Sequence, residues 1–154
     1  MYQTLLTVHS LVRWISLALL VYMIIRAYSG WLSSGKFTSG DSSIRKWTIT
    51  SLHLQLIIGI ILYFISPITT YFIGHFSETV GTRSIRFFGM EHVIMMLAAI
   101  VIATIGSARS KRRAEDILKF KTLAIWLTIS LILILAAMPW PFSQAISRPW
   151  FRLF

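Results

Sequence analysis

Four long apolar runs, separated by short polar stretches, dominate this chain of 154 residues. They cover about residues 5–25, 47–66, 87–107 and 123–138. Each run is close to the roughly 20 residues that a helix needs to cross a bilayer core of about 30 Å. Only helices and closed barrels satisfy their backbone groups in lipid, and these runs are continuous rather than alternating. The sequence therefore predicts an all-α, four-helix transmembrane bundle, with residues 1–154 forming a single domain.

The composition supports a membrane location. Hydrophobic residues make up 56% of the chain and charged residues only 13%. A soluble domain of this size cannot bury so much apolar surface, so we expect the excess to face a lipid bilayer. The formal net charge of +10 is compatible with nucleic-acid binding, but the cations cluster between the apolar runs, as membrane loops require. We expect no nucleic-acid partner. The chain has no cysteine, which excludes disulfides and thiolate metal sites.

Lysine and arginine are distributed unequally between the two sides of the predicted bundle. The loops are short, so successive helices are expected to run up-down-up-down. The positive-inside rule then places the first and third loops in the cytoplasm and both termini outside. The cations of those two loops are Arg26, Lys36, Arg45, Lys46, Arg109, Lys111, Arg112, Arg113, Lys119 and Lys121. The second loop and the tail carry only Arg83, Arg86, Arg148 and Arg152.

Prolines mark the ends of two runs. Pro67 follows the second run, and apolar residues continue to Ile73, so we expect a kink there. Pro139 and Pro141 end the fourth run. The tail, residues 139–154, is aromatic and basic, which predicts that it lies along the membrane interface.

Polar and ionisable residues within the apolar runs are the candidate functional residues. Ionisable groups are costly in a membrane and by default suggest a function. In chain order the candidates are His9, Arg13, His53, Gln55, Glu91 and His92. The fourth run has only Thr128 and Ser130, so it is expected to be a scaffold.

Depth in the membrane separates the histidines. At 1.5 Å per residue, His9 is expected about 6 Å and His92 about 8 Å from the outer boundary. His53 enters from the opposite face, so we predict that it is not coaxial with them. Arg13 lies one turn below His9, and Glu91 adjoins His92. We therefore predict a buried Arg13–Glu91 pair, direct or through water.

Two interpretations of these residues remain open. In the first, His9 and His92 from diagonal helices are the axial ligands of a b-type haem. Arg13 would pair with a propionate, while Gly59 and Gly89 would admit the flat ring. In the second, the polar groups only hydrogen-bond between helices and fix their packing.

Other residues allow further alternatives. His53 with Gln55 is compatible with a second ligand level, a proton or quinone contact, or packing. Methionines near His92 are soft ligands for copper, although they are also ordinary fillers of apolar helices. These are Met90, Met95 and Met96. A non-catalytic subunit of a larger membrane complex is a further alternative. No nucleophile–base pair or phosphate loop is evident, so a hydrolase or kinase is not expected.

Several motifs resemble those of small four-helix bacterial membrane proteins labelled cytochrome b-like. They are HSLVRW at 9–14, HLQLIIGIILYFISP at 53–67, RFFGMEH at 86–92, IGSARSKR at 105–112 and PWPFS at 139–143. The resemblance covers nearly the whole chain. It implies haem b, electron transfer with quinone or a partner protein, and a bacterial inner membrane. The haem-binding residues it implies are His9, His53 and His92. Three histidines permit one bis-histidine haem rather than two. A more distant similarity is to the copper-resistance D membrane proteins.

Overall fold

The computed structural model describes residues 1–151, and every regular element in that range is helical. Four helical segments are long and apolar enough to cross a membrane, which confirms the predicted four-helix bundle. The elements are α1 (Tyr2–Leu32), α2 (Ser39–Ile65), α3 (Pro67–Gly74), α4 (Phe76–Thr79), α5 (Arg83–Arg86), a π-turn (Phe87–Glu91), α6 (His92–Lys111) and α7 (Asp116–Ala136). The third span is continuous from α5 through the π-turn and α6.

Each of the four spans presents large apolar side chains on its outer surface. Ile25 of α1 is 63% exposed, Phe64 of α2 72%, Ile94 of α6 57% and Ile132 of α7 60%. In water such a surface would be strongly unfavourable, whereas in hydrocarbon it costs nothing. The protein is therefore a multi-pass membrane protein whose bundle is surrounded by lipid.

The four spans form a square in cross-section. Helix α1 packs mainly against α2 and α7, and α6 packs mainly against the same two helices. Helices α1 and α6 are therefore diagonal, as the sequence predicts. Residues near the start of α1 and the start of α6 consequently face each other across the centre of the bundle.

The tightly packed core occupies only one half of the bundle, toward the loops at residues 33–38 and 112–115. Its completely buried side chains include Leu20, Met23, Phe120, Leu123 and Leu127. Two glycines allow close approach there. Gly30 lies against the ring of Phe120, and Gly106 lies against Trp126. The opposite half, which contains the first turns of α1, has no comparable block of fully buried large side chains among the described residues.

The start of α2 is defined by a capping box. The Thr38 side chain accepts a hydrogen bond from the Asp41 backbone nitrogen, and the Asp41 carboxylate accepts one from the Thr38 backbone. The same carboxylate forms an ion pair with Arg26 of α1, with Nε and Oδ1 2.7 Å apart. Because these bonds satisfy free backbone groups of the first turn, α2 begins at Ser39, well before its apolar run.

Pro67 does more than kink the second span. Helix α2 ends at Ile65, Ser66 is extended, and Pro67 is the first residue of the separate helix α3. The first helical position tolerates proline because its missing N–H would have no partner there. The apolar stretch that continues to Ile73 is therefore a short second helix.

The π-turn at the start of the third span is held by an ion pair. Arg86 Nε lies 2.6 Å from Glu91 Oε1. These residues are five apart, which is the spacing of hydrogen-bonded residues in a π-helix. Tyr63 of α2 donates a hydrogen bond of 2.9 Å to the carbonyl of Gly89 within the turn. Both contacts stabilise the π-helical conformation of this stretch, which is rare in proteins.

The membrane orientation remains a prediction from the charge asymmetry. A reporter enzyme that is active only in the cytoplasm should be active when inserted in the loop at residues 112–115 and inactive when fused to either terminus. The measurement is reporter activity in cells with matched expression levels. Activity at the C-terminal fusion together with inactivity in the loop would reverse the topology.

Candidate functional site

A cavity of about 210 Å³ lies in the half of the bundle that lacks the tight core. Its walls come from α1, α2, α3, the third span, the end of α7 and the tail. Most lining residues are apolar, but four of the six candidate residues also line it: Gln55, and the three residues of the predicted haem site, His9, Arg13 and His92. The structure thus brings these three residues together around one space, as the predicted depths require.

Gln55 of α2 fixes the chemistry of the His9 ring. Its amide nitrogen donates to the His9 backbone carbonyl at 3.0 Å and lies 3.2 Å from His9 Nε2. The His9 carbonyl can only accept a hydrogen bond, so the Gln55 amide must turn its nitrogen toward His9. The second hydrogen of that nitrogen is then accepted by Nε2 of the His9 ring. In the neutral ring the proton therefore resides on Nδ1. That Nδ1 is buried without a hydrogen-bond partner in the described residues.

The free ring nitrogen of His92 has the opposite hydrogen-bonding role. Its Nδ1 lies 2.8 Å from the carbonyl oxygen of Ala137, which follows α7. A carbonyl can only accept, so Nδ1 carries the proton and Nε2 keeps its lone pair. Nε2 has no hydrogen-bond partner within residues 1–151. His92 therefore offers an acceptor or a metal-ligating atom, while His9 offers an N–H donor.

Arg13 is held by the tail rather than by Glu91. Its Nη2 donates to the Trp150 carbonyl at 2.9 Å and to Ser10 Oγ at 3.3 Å. Trp14 Nε1 donates to the same carbonyl at 2.9 Å. The described part of the tail, up to residue 151, therefore packs on α1, and Arg148 and Pro149 line the cavity. Residues 152–154 of the predicted interfacial tail lie outside the described residues.

The predicted direct Arg13–Glu91 pair is wrong, because Glu91 pairs with Arg86 across the π-turn instead. The local ion pair satisfies the Glu91 carboxylate within its own span. Glu91 does not line the cavity. His53 also lies apart, with its Nε2 2.9 Å from Thr104 Oγ1, in agreement with the prediction that it is not coaxial with the other two histidines.

Four side chains that line the cavity each contain a buried polar atom without a hydrogen-bond partner in the described residues. The atoms are His9 Nδ1, Arg13 Nε, Ser16 Oγ and Gln55 Oε1. The first three lie on one stripe of α1, at spacings of four and three residues. An unsatisfied buried polar group costs roughly 1–3 kcal/mol, so this concentration around one cavity points to a bound molecule or ordered water.

The two glycines expected to admit a flat cofactor make room for the chain's own rings. A Cβ at Gly59 would lie 3.2 Å from Cε1 of His9. A Cβ at Gly89 would overlap the ring of Phe72. Gly59 therefore allows His9 to lie against α2, where Gln55 can hold it.

The methionines around His92 divide between two environments. Met96 lines the cavity, and so does Met138, which sequence reasoning did not select. Met90 and Met95 do not line it. No cluster of three or more His, Cys, Asp or Glu side chains suited to a metal ion occurs among residues 1–151.

The fold and the site together define a four-helix membrane protein with a mostly apolar cavity and a few polar groups in its wall. No protein-family model, curated protein or solved structure matches the chain. The resemblance to the cytochrome b-like proteins, and the haem that it implies, therefore remain expectations.

Proposed function

We propose that the cavity binds the ring of a membrane quinone or its quinol, and that the protein serves electron transfer through that ligand. The observation that carries the proposal is the set of unpartnered polar atoms around an apolar cavity. Ligand sites typically combine an apolar lining with a few placed polar groups. A quinone has the matching chemistry, with a flat apolar ring and oxygen atoms on opposite edges.

The size of the cavity favours a single ring system. An engineered cavity of about 150 Å³ in another protein holds one benzene molecule. A space of about 210 Å³ is somewhat larger and suits a substituted six-membered ring. A porphyrin has four pyrrole rings and is larger than this cavity, so it would fit only if the helices or the tail moved outward.

The two histidines complement the two ends of a quinol. The Nδ1–H of His9 can donate to an oxygen of either the quinone or the quinol, whereas the Nε2 of His92 accepts the hydrogen of a hydroxyl that only the quinol has. Arg13 adds one N–H donor, its Nε, to the same space. An arginine usually holds a carboxylate through two parallel N–H donors. In Arg13 one of these, Nη2, is already bound to the Trp150 carbonyl. A neutral carbonyl therefore fits this arginine better than an acid.

Binding of a short-chain quinone tests the proposal. Calorimetric titration of the purified protein with decyl-chain benzoquinone and naphthoquinone analogues should give saturable binding. His9→Ala should weaken binding by up to about tenfold for the analogues in either redox state, since it removes one hydrogen bond worth roughly 1 kcal/mol. His92→Ala should have a similar effect only on the reduced quinol forms, because His92 Nε2 accepts a hydroxyl hydrogen and has none to donate to a quinone carbonyl.

His53→Ala is the matched control, because His53 is also a histidine within a span but does not line the cavity. It should leave binding unchanged. Failure of the wild type to bind either analogue, or an equal loss in the His53 variant, would contradict the proposal.

Haem b bound through His92 is the second candidate. It is favoured by the Nδ1 hydrogen bond to Ala137, because metal-ligating histidines commonly donate their other N–H to a carbonyl. His9 does not fit as a second axial ligand in this arrangement, since Gln55 occupies its Nε2 and its Nδ1 carries a proton. Visible spectra of protein expressed with ample haem distinguish the candidates. A haem spectrum that His92→Ala abolishes would favour haem over quinone.

Copper is supported by one further observation, the presence of Met96 and Met138 beside His92 in the cavity wall. Thioether and imidazole groups suit copper(I). Metal analysis of the same purified samples tests this alternative. If haem, copper and quinone are all absent, the polar residues only pack the helices, as expected for a structural subunit.

A further inference from the structure

A second pocket lies at the opposite end of the bundle, in the groove between α2 and α6. Its wall includes Arg45 and Lys46 from the first turns of α2 and Lys111 from the last turn of α6. Serine and threonine hydroxyls supply most of the remaining polar surface, and none of the described residues that line it is acidic. Three cations and several hydroxyl donors thus surround one shallow space.

Arg45 gives this pocket a fixed shape. Its Nη1 donates to Ser107 Oγ of α6 at 2.9 Å, and its Nη2 donates to Ser42 Oγ at 3.3 Å. The guanidinium therefore bridges α2 and α6 without a carboxylate. The nearby Asp41 is already committed to Arg26 and to the α2 cap.

The two lysines of the pocket have no acidic partner of their own. Lys46 and Lys111 are both exposed, and neither forms an ion pair within the part of the chain that the structure describes. The pocket lies beside the start of α2 and the end of α6, whose helix dipoles oppose each other there, so its three cations determine the sign of the field. The net field therefore favours an anion.

The surroundings indicate an anion that belongs to the membrane. The pocket lies along two membrane-spanning helices, with the apolar side chain of Ile49 in its wall. The adjacent Trp47 is 59% exposed, and tryptophan rings prefer the headgroup level of a bilayer. We infer that this pocket binds the phosphate of an anionic phospholipid, whose acyl chains lie along the α2–α6 groove. Basic pockets between transmembrane helices recognise lipid headgroups in this way.

The proposal is tested by lipid retention on the intact protein. Native mass spectrometry after purification in detergent, with phosphatidylglycerol and phosphatidylcholine added at equal concentration, should show preferential phosphatidylglycerol binding. Lys46→Gln and Lys111→Gln should each weaken that binding about fivefold, and the double variant about 25-fold, given a contribution of about 1 kcal/mol per cation.

Arg112→Gln/Arg113→Gln is the matched control. It also removes two exposed cations next to α6, but neither arginine lines the pocket. Its loss should be several times smaller than that of the lysine pair. If the variant that lacks both lysines does not fold, Lys111→Glu alone provides a second test. It should abolish the preference for phosphatidylglycerol.

Two outcomes would overturn the inference. Equal losses in the arginine and lysine pairs would mean that the charge of the whole surface attracts the lipid. Full displacement of phosphatidylglycerol by millimolar inorganic phosphate would assign the pocket to a soluble anion. Neither outcome bears on the quinone proposal, which concerns the other end of the bundle.

Discussion

Replacing Gly106 by alanine is expected to lower the stability of the bundle by about 1–3 kcal/mol, the usual cost of overpacking a core. A Cβ at this position would lie 2.8 Å from Cγ of Trp126 and still closer to its Cβ. The Cβ of Trp126 belongs to the stem of the residue and moves only with the backbone. Helices α6 and α7 would therefore have to separate. Thermal unfolding in detergent, followed by circular dichroism, measures the loss.

Gly74→Ala is the control for this substitution. Gly74 is the last residue of α3, and a Cβ there would meet no atom within 4 Å. The same chemical change should therefore leave the unfolding temperature almost unaltered. An equal effect of the two substitutions would show that the close contact of Gly106 with Trp126 does not determine the packing.

Replacing Asp41 by alanine is expected to destabilise the protein by about 1–3 kcal/mol, as the sum of one lost capping-box bond and a broken half-buried ion pair. The Asp41 side chain is only 5% exposed, and it serves both the first turn of α2 and Arg26 of α1. Its removal leaves Arg26 without its partner and Thr38 without its reciprocal bond. Unfolding of the variant in detergent is again the measurement.

An exposed acid provides the comparison. Asp116 pairs with Lys119 at 2.7 Å on the surface of α7, where water and ions screen the charges. Asp116→Ala should therefore cost much less than Asp41→Ala. In an Arg26→Gln background, Asp41→Ala should also cost less than in the wild type, because the pair is already broken. Additive losses would argue against the Arg26–Asp41 interaction.

The transmembrane spans could be predicted because lipid imposes a simple length and composition rule. Helix ends were less predictable, since they depend on local chemistry. The capping box of Thr38 and Asp41 extends α2 to Ser39, eight residues before the predicted start at 47. Pro67 signalled a break correctly, but whether a kink or a new helix follows depends on the extended backbone of Ser66.

The site was predictable in depth but not in detail. Equal offsets along parallel helices correctly brought His9 and His92 to the wall of one cavity. The partners of those residues come from other elements, and spacing along one helix carries no information about them. Gln55, the Ala137 carbonyl and the Trp150 carbonyl are examples. Ser16 continues the α1 stripe seven residues after His9, and that spacing was the available signal for it.

The π-turn has a consequence for insertions and deletions in this chain. A π-turn accommodates one residue more than the α-helix would in the same stretch. Deleting one residue between Arg86 and His92 would restore α-helical spacing and leave α5 close to its present direction relative to α6, because five residues of a π-turn and four of an α-helix both make about one turn. Arg86 and Glu91 would then be four apart on one helix face and could still pair, whereas the carbonyl of Gly89 bound by Tyr63 would return to the helix ladder. A one-residue deletion elsewhere in the third span would rotate the parts on either side of it by about 100°, so this turn is where the span can lose a residue with the least change in the direction of its cavity-lining face.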